Sequence, residues 1–293
     1  MQKIVVCGQS RLTVTVLERL LRSPLALSVA VPAMDEESLP MPTLSVIAGM
    51  ADKTLLKVTA KTWAATTALV ITDYGEVTAE DWQANMLAQL RKVIAAAMAA
   101  GFAGRIVVVS HADAVMTYFA QRFSGLAKAN VIGLGTMGVT GCFERGLAAH
   151  LQVPRSRVTA YALGATDQPV LMWSRAYVAT TPVLSLLQPT DGQPDPLLEA
   201  MSEACAAYAA GDGALLWPPL VERVLAAFAG EALLTPLLTI EDDVRSVPVL
   251  VNDAGVKRLV SLHGAEAEEA GLATIYAQQE ATIQGIEKGA DEE

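Results

Sequence analysis

The feature that most constrains this chain is an alternation running through its first half. Short runs dense in β-branched residues are each followed by a longer stretch with helical spacing. Residues 3–7, 25–31, 68–72, 105–110 and 130–133 read as strands. Residues 12–21, 79–100 and 114–124 read as helices, the second of them stopped by Gly101 and Gly104. Strand–helix–strand order implies parallel strands joined by crossovers, and hence a doubly wound sheet with helices on both faces. The stretch holding Pro32, Pro40 and Pro42 is read as loop and weak strand.

The pattern changes after residue 134. A helix is expected over 140–151, and 158–163 and 170–178 alternate like antiparallel strands. Residues 189–196 read as a loop, and helices follow over 197–210 and 216–228. A meander of strands is expected over 236–239, 247–252 and 255–259, then a final helix over 265–287. The expected fold class is α/β, a Rossmann-type doubly wound parallel sheet followed by an α+β domain with antiparallel sheet. The division falls between residues 1–134 and 135–293, each half of ordinary domain size.

Composition narrows the function classes. Hydrophobic residues make up 52% of the 293, with few aromatics, as suits strands buried on both faces. No run of eighteen apolar residues exists, so no membrane span is expected. The start, Met1 to Val6, reads as a strand and not as a targeting segment. With 21 basic against 31 acidic residues the net charge is −10, and no basic stripe is present, so nucleic acid is not an expected partner. Cys7, Cys142 and Cys205 cannot all pair and lack metal-ligand spacing, so no metal is expected and a reducing, cytoplasmic setting fits.

A series of short stretches carries a family resemblance. Gly101-Phe102-Ala103-Gly104-Arg105 leads into Ile106 to Ser110. Met116-Thr117-Tyr118 and Ser124-Gly125-Leu126 follow, then Asn130-Val131-Ile132-Gly133-Leu134-Gly135-Thr136. Val170 to Ser174 comes next, and Ser246-Val247-Pro248-Val249 with Gly255-Val256 closes the set. In this order and spacing they resemble the L-lactate/malate dehydrogenase family over nearly the whole chain. The resemblance implies a nucleotide-binding first half, a mixed second half, and a homodimer or homotetramer.

That family's hydride transfer to a 2-oxo acid needs a bound nicotinamide, a cation for the substrate carboxylate, a proton donor and an orienter for that donor. The phosphate loop G-x-G-x-x-G permits close approach of pyrophosphate. Here Gly8-Gln9-Ser10-Arg11-Leu12-Thr13 keeps only its first glycine. The second strand ends Ala30-Val31-Pro32, with no acid for ribose, and Asp73-Tyr74 stand where the family has small residues. Gly8, Ser10, Arg11 and Tyr74 are the candidate cofactor-side residues, with an anion conceivable at the helix start near Ser10 and Arg11. No cofactor is expected, NAD included.

The family's mobile loop with its carbonyl-polarising arginine shortens here to residues 75–78, which contain no Arg. In register, its orienting aspartate falls on Val139 and its carboxylate-binding arginine on Cys142, which would face the substrate site. Its catalytic histidine falls on Thr166, beside a retained Asp167. A threonine hydroxyl is no substitute for an imidazolium as proton donor. All four requirements fail together, so ordinary dehydrogenase activity is expected to be absent.

What remains is His111, at the carboxyl end of a parallel strand where side chains face the ligand crevice. With Asp113, Asp167 and Thr166 it forms the candidate catalytic set, Asp73 also coming near the same cleft, and a carboxylate neighbour, Asp113 or Asp167, would favour the charged imidazole. His150 reads as a helix-end charge, and His263 as solvent-facing. Two functions follow as expectations. The first is a binding or assembly protein, pairing with itself, an active paralogue or a pathway enzyme. The second is an enzyme of changed chemistry acting on a small molecule through His111, or binding NAD(P) atypically. A cleft filled by Tyr74, Leu134 and Leu215 favours the first. An open cleft with converging polar groups favours the second. The helix over 79–100 carries Leu87, Leu90, Val93, Ile94, Ala97 and Met98, and on the resemblance it packs across a dimer axis.

Overall fold

A computed structural model describes residues 1–187, 195–259 and 262–291. The first half supplies strands β1 (Gln2–Gln9), β2 (Leu27–Val31), β3 (Leu55–Lys57), β4 (Ala68–Tyr74), β5 (Arg105–Val109) and β6 (Val131–Gly133). Between them lie helices α1 (Arg11–Arg22), α2 (Ala33–Glu36), α3 (Met41–Met50), α4 (Ala60–Ala65), α5 (Trp82–Ala99) and α6 (Asp113–Ser124). The strands lie in the order β3-β2-β1-β4-β5-β6, every neighbouring pair parallel. This is the doubly wound sheet expected from the sequence. Every residue of β4 is buried, which explains why Leu69-Val70-Ile71 reads as a continuous apolar run without alternation.

The second half contributes α7 (Met137–His150), β7 (Val158–Thr159), β8 (Ala162–Gly164), β9 (Pro169–Leu171), β10 (Tyr177–Val178) and β11 (Thr181–Pro182). Helices α8 (Pro196–Ala209), α9 (Gly213–Leu216) and α10 (Pro218–Phe228) follow, then β12 (Leu233–Ile240), β13 (Val244–Asn252), β14 (Gly255–Arg258) and α11 (Glu266–Asp291). The short strands form antiparallel pairs, β8 with β9 and β10 with both β7 and β11.

Three features depart from the sequence reading. Pro40 and Pro42 do not mark a loop. Pro42 sits in the first turn of α3, where a missing N–H costs nothing. The expected strand over 170–178 is broken by a 3-10 turn, Trp173–Arg175. The meander does not stand apart from the first half: β12 pairs antiparallel with β6, and β12–β14 extend the main sheet to nine strands. The chain after residue 134 therefore returns to the sheet that the first half built. Most of the expected loop over 189–196 lies outside the described residues.

Two apolar layers sandwich the sheet. One packs Leu17, Leu20 and Leu21 of α1 with Val221, Val224 and Leu225 of α10. The other packs Leu90, Val93 and Ile94 of α5 with Met116 and Phe119 of α6. Leu90, Val93, Ile94 and Ala97 are thus fully buried within one chain, and Leu87 and Met98 are partly covered. The outward face of α5 is left mainly to alanines. Sheet order reverses between β1 and β4, so a crevice opens beyond the carboxyl ends of β1, β4 and β5. That crevice holds the site.

Candidate functional site

Asp73, near the end of β4, and His111, just past β5, come from adjacent parallel strands and meet across the crevice. His111 Nδ1 lies 2.6 Å from Asp73 Oδ2, and Ser110 Oγ donates to Asp73 Oδ1 at 2.5 Å. The Asp73 side chain is wholly buried, whereas 38% of the His111 side chain is exposed. An ionised carboxylate only accepts, so Nδ1 carries the proton toward Asp73, and Nε2 is left without a partner among the described residues. Trp217 lies against the imidazole, ring centroids 4.7 Å apart and tilted by 53°. The sequence reading expected Asp113 or Asp167 beside His111. The partner is Asp73, because β4 and β5 are hydrogen-bonded neighbours.

Asp113 instead faces Thr166. The Thr166 hydroxyl lies 2.9 Å from Asp113 Oδ2 and 3.0 Å from the carbonyl oxygen of Gly135. The one hydroxyl hydrogen of Thr166 is thus shared between the Asp113 carboxylate and the Gly135 carbonyl. Burial raises the Asp113 carboxyl to about 6, reinforced by the nearby Asp167 charge and opposed by the Thr166 hydroxyl and the Ala114 and Gly135 amides. Asp167 itself hydrogen-bonds none of the other three among the described residues. It shares with His111 and Asp113 the wall of a cavity of about 310 Å³, which Gln83, Gln168 and Gln278 also line.

Between His111 and α7 the crevice is closed. The space bounded by Asp113, Leu134, Val139, Thr166, Tyr208 and Trp217 has a volume of about 10 Å³, the threshold for one water. Among the described residues its lining contains no Lys, Arg or His. Tyr74 and Leu134 are buried as expected, but Leu215 is 63% exposed and fills nothing. Trp217, two residues on, takes that role, its ring packed against the backbone of Gly213 so closely that a Cβ there would contact it at 2.8 Å. Cys142 is not in this lining. It packs on α8, so the register that placed it at the substrate site gives the right helix but the wrong face.

The turn from β1 into α1 is closed on itself. Ser10 caps α1 in a reciprocal pair with Thr13. Thr13 Oγ1 lies 2.8 Å from Thr72 Oγ1, which donates to the Cys7 carbonyl at 3.0 Å. Gly8 adopts φ +145, and a Cβ there would overlap Thr72 Oγ1. Arg11 pairs with Asp212 of the α9 cap at 2.7 Å. The acid that the sequence lacks at the end of β2 is present four residues further on. Asp35, fully buried, accepts from the Gly8 amide at 3.1 Å, from Gln9 Nε2 at 3.2 Å and from the Tyr74 hydroxyl at 3.2 Å. Burial pushes the Asp35 carboxyl up and these three donors pull it back. Burial also raises the Tyr74 phenol. Outside this network lies an open cavity of about 430 Å³ reached by Gln9, Ser10, Arg11, Glu76 and His111.

Comparison with known proteins places the fold. No protein-family model matches the chain. The L-lactate dehydrogenase of Gloeobacter violaceus is 30% identical over 199 residues, 62% of this chain and 60% of that protein. The L-lactate dehydrogenase of Geobacillus stearothermophilus is 34% identical over 105 residues, 35% of this chain and 32% of that protein. The chain therefore aligns in sequence with less than two thirds of these relatives' length. In structure the likeness is end to end. The minor L-lactate dehydrogenase of Enterococcus mundtii, in the ligands-unbound form, superposes with a TM-score of 0.85 at 19% identity, covering 97% of each chain. A lactate dehydrogenase from a deep-sea metagenome library superposes at 0.83 with 19% identity, covering 97% of this chain and 98% of that one. The chain has the fold of these lactate dehydrogenases, and part of its sequence is similar to theirs. Among the described residues no helix is long and apolar enough to cross a membrane.

Asp35 escapes a sequence reading, and Trp217 is legible only in part. Asp35 sits in a four-residue helix after a proline, and its role rests on the fold of that short connection. Trp217 is legible only as part of an apolar Leu215-Leu216-Trp217 run, and which of the three turns inward depends on the step from α9 to α10.

Proposed function

We propose that this chain is a dehydrogenase-family protein that no longer oxidises 2-hydroxy acids with NAD and acts through binding and assembly. The observation that carries this reading is the space in front of Thr166. A volume of about 10 Å³ without a cation in its lining has neither room nor charge for a 2-oxo acid. The turn residues also do not fit a dinucleotide. Asp35 serves Gly8, Gln9 and Tyr74 where ribose hydroxyls would need an acid, and Ser10 and Arg11 are engaged with Thr13 and Asp212. On the resemblance, Thr166 stands for the proton-donating histidine, and its hydroxyl is held between Asp113 and Gly135.

Assembly belongs to the same reading. The family resemblance implies at least a homodimer, with the alanine-lined outer face of α5 at its axis. Partners of a second kind, an active paralogue or a pathway enzyme, would dock on the same face. The test of lost chemistry is a steady-state assay of NADH oxidation with pyruvate and oxaloacetate at millimolar concentrations. No rate above the uncatalysed background is expected, and saturable turnover of either acid overturns the proposal.

One observation favours a second reading. The Asp73–His111 pair orients an imidazole whose Nε2 faces no protein partner, between open cavities of about 430 and 310 Å³. That is the arrangement of a general acid–base group, with Asp73 fixing the tautomer. If turnover of any small molecule is found, His111→Asn should abolish it with the fold intact.

A further inference from the structure

Helices α7 and α8 pack closer than ordinary side chains allow. A Cβ added to Gly138 would overlap the Tyr208 hydroxyl, and one added to Gly146 would overlap Met201 Sδ. Between these two contact layers, one turn from each, lie Cys142 of α7 and Cys205 of α8. The Cys142 thiol donates to the Ala204 carbonyl oxygen at 3.7 Å, which sets its sulfur against the peptide that leads into Cys205. The two side chains share one apolar cluster and interact sulfur to sulfur. Both thiols are free, Cys205 buried and Cys142 half-buried at the edge of the cluster. The third thiol, Cys7, is enclosed in β1.

We infer that Cys142 and Cys205 form a reversible disulfide in response to a hydroperoxide, with Cys142 the attacking thiol and Cys205 the resolving one. The Cys142 thiolate attacks the O–O bond, becoming a sulfenic acid while the departing oxygen leaves as water. The Cys205 sulfur then displaces the sulfenic oxygen, which leaves with the Cys205 proton as a second water. Two thiols are oxidised and one molecule of hydrogen peroxide is reduced to two waters, so atoms and electrons balance. Roles follow from place. Cys142 is the less buried partner, and the Cys205 thiol and the Arg145 charge one turn on both favour its thiolate, bringing it to about 7. Burial and the neighbouring Cys142 push the Cys205 thiol up, so it acts second. The glycine-lined approach of the two backbones suits the short Cα separation that a disulfide demands. The bond would tie α8 to α7 one turn from Tyr208, a wall of the closed space beside Trp217. Oxidation therefore fixes the position of that wall relative to α7.

The experiment is peptide mapping without reduction after exposure of the purified chain to a small excess of hydrogen peroxide. One linked pair of peptides, holding Cys142 and Cys205 and two hydrogens lighter than their sum, is expected, and dithiothreitol should separate it. Cys7 should stay reduced. Cys142→Ser and Cys205→Ser should each lose the linked pair completely, and Cys205→Ser should accumulate a sulfenic acid at Cys142 that dimedone traps. Wild type that yields only sulfinic acid at Cys142, or a disulfide with glutathione and no internal link, overturns the inference whether or not the variants fold. So would a Cys142→Ser chain that consumes peroxide at the wild-type rate.

Discussion

Nδ1 of His111 is held 2.6 Å from Oδ2 of Asp73, a carboxylate with no exposed surface whose other oxygen accepts from Ser110. The contact joins the ends of two neighbouring strands, so removing it should be felt in stability even where no catalysis exists. His111→Ala leaves a buried carboxylate with one donor instead of two and should cost about 1–3 kcal/mol in denaturant unfolding. His111→Asn, able to donate in the same place, should cost less than about 1 kcal/mol. Equal losses in the two variants would mean that packing against Trp217 matters and the hydrogen bond does not.

Asp113 gives a pH dependence of definite sign. Its carboxyl is raised from 3.8 to about 6 in the folded chain. Between those values the folded state holds a proton that the unfolded chain has released, so this group's contribution to stability falls as pH rises through the window. Asp113→Asn keeps an acceptor oxygen for Thr166 and removes the buried charge. It should be more stable than wild type by about 3 kcal/mol near neutral pH, the advantage vanishing toward about pH 4. A variant less stable than wild type at every pH would contradict the assignment.

Trp217 should behave as a plug. Trp217→Ala removes a half-buried ring and should cost about 2–4 kcal/mol. The cavity it leaves is bounded by Leu134, Val139 and Leu220 and has the shape of the lost ring. Millimolar indole should restore part of the lost melting temperature, as apolar ligands do in engineered cavities. No recovery with indole would mean that the site collapses.

Gly8 is constrained by its neighbours. With φ +145 and Thr72 and Thr13 hydroxyls where a Cβ would sit, Gly8→Ala should destabilise by about 3 kcal/mol or more. Tyr74→Phe, which removes one of three donors to Asp35, should cost only about 1 kcal/mol. Denaturant midpoints in the reverse order would show that the turn is soft and the Asp35 network rigid.

Much of the fold was legible because the parallel strands are buried on both faces and interrupted by well-spaced helices. β1, β4 and β5 fall within three residues of where the apolar runs place them. The prolines misled because a proline in a first helical turn and one in a loop look alike in sequence, as Pro42 demonstrates. The meander was readable as strands, but its antiparallel seat on β6 rests on one long-range pairing, Leu238 with Gly133, which no local pattern reports. At the site, Asp113 and Thr166 were both singled out and they meet, but the neighbour assigned to His111 was not the one it has. His111 was singled out, but that Asp73 holds it depends on β4–β5 register. Asp35 stayed hidden because the backbone must turn back over Gly8 before its carboxylate can reach the amide.

The most direct test of the central claim is calorimetric titration of the purified chain with NADH, paired with its melting temperature. The account predicts no saturable heat and no rise in melting temperature up to millimolar NADH, because Asp35 and Tyr74 close the turn on each other. A ligand at one hundred times its Kd would add about 2.7 kcal/mol of stability. Saturable binding with a low-micromolar Kd, accompanied by a clear rise in melting temperature, would contradict it.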